Sequence, residues 1–216
     1  MKLKQHLEIG NKVLEDNIIN TFNVNRIAYL FGNIAPDLNC IYPAHRLKTT
    51  ERRFYKRLRR VDKSTTNLMK SFTLGVITHY ICDYFCYAHN IESIGIPHKE
   101  YEKNLYNYYE SHLDEMSDEM SDEYDRMLSH WVNYKVQSKV KCIKNDCMTT
   151  DTHCKFILNQ IKCMNILYMN DNKTSKKDSW TTKIEQMKKD IEYSAFMIEH
   201  VLAITLEPFK CMVGDY

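Results

Sequence analysis

The stretch Phe72-Thr-Leu-Gly-Val-Ile-Thr-His-Tyr-Ile-Cys-Asp-Tyr-Phe-Cys-Tyr-Ala-His89 is apolar at nearly every turn, yet it carries His79 and Asp83 four residues apart. On a helix, that spacing puts both side chains on one face. No Lys or Arg occurs between Ser71 and Pro97, so nothing on this helix neutralises the carboxylate. Taking an ionised Asp out of water without a cation is costly, on the order of several kcal/mol. A divalent metal removes that cost, and a His–Asp pair at i,i+4 offers it two ligands.

The same kind of pair recurs downstream in His98-Lys-Glu-Tyr-Glu102, and His89 lies close enough in sequence to join it. Upstream, His6 falls on the first apolar-periodic segment, Asp37 follows Pro36 on an expected turn, and His45 sits on the next loop. Imidazole and carboxylate without thiolate is the ligand chemistry of catalytic rather than structural zinc. Each residue taken singly also has a bland role. A lone histidine on an apolar helix is usually a hydrogen-bonded core residue, Asp37 suits a cap or turn, and His98/Glu102 suits a surface pair. The bland account requires all of these at once. His112, His130, His153 and His200 lack such company and read as ordinary surface or core positions.

Helices must position these groups. Leu3, Leu7, Val13, Leu14 and Ile18 predict a helix over roughly 3–20. A short apolar run over 26–31 is expected to stop at Gly32 and the turn around Pro36. Residues 38–50, with Pro43, read as a loop, and 51–60 as a short basic helix. Ser64 or Thr65 can cap the central helix, which is expected to run to about Asn90. After Gly95 and Pro97 a helix resumes from His98 to about Met116. Segments 121–137, 152–169 and 181–207 follow, the last with Ile184, Met187, Ile191, Ile198 and Val201 as its buried stripe. Asn170 to Ser179 reads as a linking loop, and Asp114 to Asp125 as solvated acidic surface.

Composition agrees with an all-α bundle of about seven or eight helices. Gly (5) and Pro (4) are scarce among 216 residues, a length that suits one domain over 1–216. A net charge of +2 gives no global pull toward nucleic acid or an acidic membrane. No secretory leader follows Met1, and no run approaches the roughly 18 apolar residues of a membrane span. That points to the cytoplasm, with leaderless export as the alternative. The eight cysteines are therefore expected as thiols, with Cys82 and Cys86 as core or supporting groups on one helix face.

Gly75-x3-His79-x3-Asp83-x5-His89-x8-His98-x3-Glu102, together with His6, Asp37 and His45, resembles the signature of the zinc-dependent phospholipase C family. The family includes bacterial phosphatidylcholine-preferring phospholipases and the catalytic domain of clostridial alpha-toxin. The likeness in motifs covers the first half of the chain; the second half contributes helical length. It implies an all-α fold and two or three Zn2+ ions. His45, His79 and Asp83, with Asp37 adjacent, would hold the first and His89, His98 and Glu102 the second. His6 and a bridging Asp83 would hold the third. Secreted relatives complete that third position with an N-terminal tryptophan. This chain begins with Met1 and has no tryptophan before Trp131, so the Met1 backbone is the candidate substitute.

The reaction implied is phosphodiester hydrolysis, with phospholipid cleaved to diacylglycerol and a phosphorylated head group. Zinc lowers the pKa of water to about 7 and stabilises charge on phosphoryl oxygens, and Asp37 would orient or deprotonate the attacking water. The chain is too short for the C-terminal lipid-binding domain that alpha-toxin adds. The basic run Arg52, Arg53, Lys56, Arg57, Arg59 and Arg60 reads as a solvated helix face, with peripheral attraction to an anionic membrane as the alternative. A monomer without a nucleic-acid partner is expected. Rival readings are a single-strand-specific nuclease, whose motif ends in Asp where Glu102 stands, and a non-catalytic zinc-binding relative. A phosphohydrolase with adjacent His and Asp is disfavoured, because His79 is followed by Tyr80.

Overall fold

The computed structural model describes residues 3–15, 23–38, 46–90, 98–111, 150–173 and 180–206. Among them are eight helices and no strand. They are α1 (Leu3–Glu15), α2 (Arg26–Leu38), α3 (Leu47–Lys63), α4 (Asn67–Tyr84), α5 (Tyr87–Asn90), α6 (His98–Ser111), α7 (Thr150–Lys173) and α8 (Trp180–Leu206). The all-α expectation holds. No helix among the described residues is long and apolar enough to cross a membrane.

Helix α4 is the centre of the bundle. It has no polar face, and every residue from Thr73 to Tyr84 is buried, so it is stable only with neighbours on all sides. α2, α3 and α8 pack along it, and α1 joins through α2. α3 is the amphipathic counterpart. Leu47, Phe54, Leu58 and Val61 recur at helical spacing and face the core, while Arg52, Arg53, Lys56 and Arg60 are exposed. Exposure of this face suits both plain solvation and contact with an anionic surface.

Several expected boundaries were displaced. α2 does not stop at Gly32 but continues to Leu38, so Asp37 lies on its last helical turn rather than on a free turn. Gly32 is there for proximity: a Cβ would run into the carbonyl oxygen of Phe72, and one at Gly75 into that of Tyr29. Two glycines thus let the α2 and α4 backbones touch, an approach that any side chain would forbid. Asn25 N donates to Ser71 Oγ (2.9 Å), Tyr29 and Thr78 hydroxyls bond (2.8 Å), and Asn33 O meets His79 Nδ1 (2.8 Å). These pairs advance together, so the two helices run parallel. Pro36, near the end of α2, forfeits only the bond its N–H would have made one turn back.

α3 begins at Leu47, four residues ahead of the expected Glu51. The N-cap of α4 is Thr66, whose Oγ1 accepts from Met69 N (3.3 Å). Ser64 instead closes α3 through its N–H to Val61 O. α4 ends at Tyr84 instead of running to Asn90, and α5 restarts at Tyr87. On α8, Met187, Ile191, Ile198 and Val201 are buried as expected, but Ile184 is exposed. Asn170 to Lys173 belong to α7 rather than to a loop. Residues 112–149, with the expected 121–137 helix and the acidic stretch from Asp114 to Asp125, lie outside the described residues.

Candidate metal centre

α1, α2 and α4 each send a metal-type side chain to one buried point. His79 Nε2 stands 3.1 Å from Asp83 Oδ2 and 3.7 Å from Asp37 Oδ1. His6 Nε2 stands 3.4 Å from Asp83 Oδ1 and 3.8 Å from Asp37 Oδ2. The imidazoles of His6 and His79 stack at 4.0 Å. His6, His79 and Asp83 are fully buried, whereas the Asp37 side chain keeps 25% exposure. His6, Asp37 and His79 bring one ligand atom each within 4.8 Å of one another. Bonds of about 2.0–2.2 Å to a tetrahedral zinc would put neighbouring ligand atoms roughly 3.4 Å apart, close to these separations.

Hydrogen-bond chemistry argues the same way. A carbonyl only accepts, so His79 Nδ1 carries the proton it gives to Asn33 O. That leaves Nε2 facing two carboxylates, with the ring orientation fixed from behind as it is in metal-binding histidines. An imidazole nitrogen and two carboxylates converging in a buried place form a donor set that suits a divalent cation. His6 repeats the pattern: both its ring nitrogens are buried without a hydrogen bond. Its 3.4 Å contact with Asp83 is therefore Coulombic, being too poorly aligned for a hydrogen bond. Burial, reinforced by the neighbouring His79, pushes His6 down to about 3, so it is neutral at physiological pH. The Asn33 side-chain amide donates to His6 O, tying α1 to α2 behind the ring. A cation fits this donor set.

A second group adjoins the first. His89 Nδ1 lies 3.4 Å from Asp83 Oδ1, and His89 Nε2 lies 3.1 Å from Glu102 Oε1 on α6. Burial pushes His89 down, despite the opposing charge of Asp83. Glu102 is also pushed up by burial, but the His89 hydrogen bond and other favourable contacts hold it well below the usual carboxylate range. The break after α4 makes this geometry possible. On an unbroken helix, residue 89 would point about 120° away from residue 83. Instead Cys86 N turns back to Asp83 O (3.3 Å), and Asn90 Nδ2 and Asn165 Nδ2 satisfy the freed carbonyl of Tyr84 (2.8 and 2.7 Å).

Six of the eight ligand candidates have described side chains, and these six converge: His6, Asp37, His79, Asp83, His89 and Glu102. His45 and Met1 lie outside the described residues. His98 opens α6, one helical turn before Glu102, but its side chain also lies outside them. His6, expected at a separate third position, stands beside Asp37 and His79 as well as Asp83. Cys82 and Cys86 are buried free thiols, both pushed up by burial. Two contributors escaped sequence reasoning. Asn33, four residues before Asp37 on α2, supports both histidines. Asp190 is a fully buried carboxylate on α8, beside Met187 and Ile191 on the apolar stripe. Its place on that stripe is part of the signal that flagged Asp83, but Lys188 and Lys189 precede it directly, so the charge argument did not apply.

A family model described as zinc dependent phospholipase C matches residues 5–198. Comparison with curated proteins and with solved structures returned no match.

Proposed function

Because the chain belongs to the zinc-dependent phospholipase C family, we propose that it hydrolyses a phospholipid to diacylglycerol and a phosphorylated head group. The observation that carries this reading is the buried His6–His79–Asp83 cluster, in which imidazole nitrogens face carboxylate oxygens. His6, Asp37, His79 and Asp83, with His45, would hold zinc on one side, and His89, His98 and Glu102 on the other. Asp83 lies between, with oxygens toward both groups.

Zinc held there supplies Lewis-acid chemistry, lowering the pKa of water and offsetting charge on the phosphoryl oxygens. The chain's own residues do the rest. Asp37, the most exposed carboxylate of the cluster, orients the attacking water and takes its proton. Asn33 fixes the tautomer of His79 and holds His6 in place. Attack at phosphorus breaks the bond to the glycerol oxygen, which leaves with a proton from water. The exposed Arg52, Arg53, Lys56 and Arg60 favour peripheral contact with an anionic lipid surface.

The test pairs zinc stoichiometry by elemental analysis with diacylglycerol release from phosphatidylcholine vesicles. Single-stranded DNA serves as the competing substrate. Vesicle hydrolysis that fails in Asp37→Ala, with the helical circular dichroism retained, supports the assignment. DNA cleavage in its place makes the chain a nuclease. Stoichiometric zinc without turnover of either substrate makes it a non-catalytic zinc protein.

A further inference from the structure

Asp190 lies on α8, fully buried and outside the cluster described above. Four donors converge on its carboxylate. Oδ1 accepts from Tyr168 OH on α7 (2.6 Å) and Gln186 Nε2 on α8 (3.1 Å). Oδ2 accepts from Tyr87 N at the start of α5 (2.9 Å) and Tyr101 OH on α6 (2.9 Å). One oxygen is thus anchored in the C-terminal helices. The other reaches α5 and α6, which carry His89 and Glu102.

The connections close a ring. Tyr87 precedes His89 by two residues, His89 meets Glu102, Tyr101 adjoins Glu102, and Asp190 joins Tyr101 back to Tyr87. α5 and α6 are therefore held together at two points, His89–Glu102 in front and Asp190 behind. α5 is four residues long and packs chiefly on α4, α6 and α8, too little to fix its own direction. We propose that Asp190 is the positioning residue that holds His89 and Glu102 at their working separation, through Tyr87 N–H and Tyr101 O–H. This rests on the zinc reading for its functional meaning, but the clamp itself is a claim about the chain alone.

The experiment uses the full chain in metal-free and zinc-loaded forms, with Asp190→Ala, Asp190→Asn and Tyr101→Phe. Leu58→Ala, a core truncation in α3, serves as the stability control. Asp190→Ala should speed amide exchange in the metal-free protein at residues 86–90 and 98–103 by about tenfold or more, beyond any change in α3. It should also weaken zinc binding, measured against a competing chelator, by about 10- to 100-fold. Leu58→Ala, at equal loss of melting temperature, should leave zinc affinity unchanged. Asp190→Asn keeps an oxygen for Tyr87 and Tyr101 and turns its amide toward Tyr168 and a reoriented Gln186, so it should restore both readouts. Tyr101→Phe should loosen 98–103 and spare 86–90.

Uniform acceleration, or an Asn variant as loose as Ala, overturns the clamp. Should Asp190→Ala not fold, Tyr101→Phe decides: wild-type exchange at 98–103 overturns the proposal. A wild-type chain that takes up no zinc defeats the metal reading alone, because the exchange measurements still judge the clamp.

Discussion

Asp83 and Asp190 are both fully buried aspartates, and their surroundings are of opposite kinds. Asp83 meets three imidazoles at 3.1–3.4 Å. Asp190 meets a backbone N–H, an amide and two phenols, all of them donors. The first arrangement sets imidazole nitrogens beside carboxylate oxygens, a donor set that suits a cation, and the second sets hydrogen-bond donors around the carboxylate. Burial of a carboxylate is therefore not by itself a metal signal. What decides is whether its neighbours bring protons or lone pairs.

Mutation should separate the two most sharply through zinc. Asp83→Asn is expected to lower zinc affinity more than about 100-fold, beyond what loss of a supporting hydrogen bond does, and to abolish vesicle hydrolysis. A chelator competition showing a smaller change than Asp190→Ala would reverse the roles assigned here. In metal-free protein the order of damage inverts. Asp190→Ala strands several buried donors and should cost about 3 kcal/mol or more in urea unfolding. Asp83→Asn, which removes a buried charge, should be neutral within about 1 kcal/mol. Equal losses would dissolve the comparison.

The pH dependence of the metal-free protein has two opposed parts. Burial, then the neighbouring His79, pushes His6 from 6.5 down to about 3. Its stabilising contribution is fully present above pH 6.5 and is lost as pH falls toward 3. Burial outweighs four hydrogen bonds at Asp190 and pushes it from 3.8 up to about 7. Its contribution is fully present below pH 3.8 and is lost as pH rises through 7. Each slope is at most about 1.4 kcal/mol per pH unit. His6→Gln should leave the falling slope and Asp190→Asn the rising one. Superimposable stability profiles for both variants and wild type would contradict this. The smallest effect is expected from Tyr29→Phe, which touches neither aspartate. Loss of its bond to Thr78 should cost about 1 kcal/mol, with zinc affinity unchanged.

The helical class was legible from scarce Gly and Pro, and the His79–Asp83 pair from a helix without Lys or Arg. These are local signals. The break at Phe85–Cys86 was not legible, since neither residue breaks helices and the partners that satisfy it, Asn165 and Asp190, are remote in sequence. Gly32 misled for a related reason. A glycine that ends a helix and one that lets two backbones touch look alike until the second helix is in place. Asp190 also sat among apolar residues, but Lys188 and Lys189 directly before it made an ordinary charged surface the simpler reading, and no histidine stood with it.

The ligand candidates all lie within the first 102 residues, which a ribosome makes before the C-terminal helices exist. Asp190 and Asn165 reach back 103 and 81 positions to fix the segment that carries His89. Half of the cluster can therefore be drawn together early, from α1, α2 and α4, whereas the His89–Glu102 half must wait for α7 and α8 to dock. A chain that stops short of α8 would hold most of the ligands without the contacts that order His89 and Glu102, so competence would come only once α8 has been made.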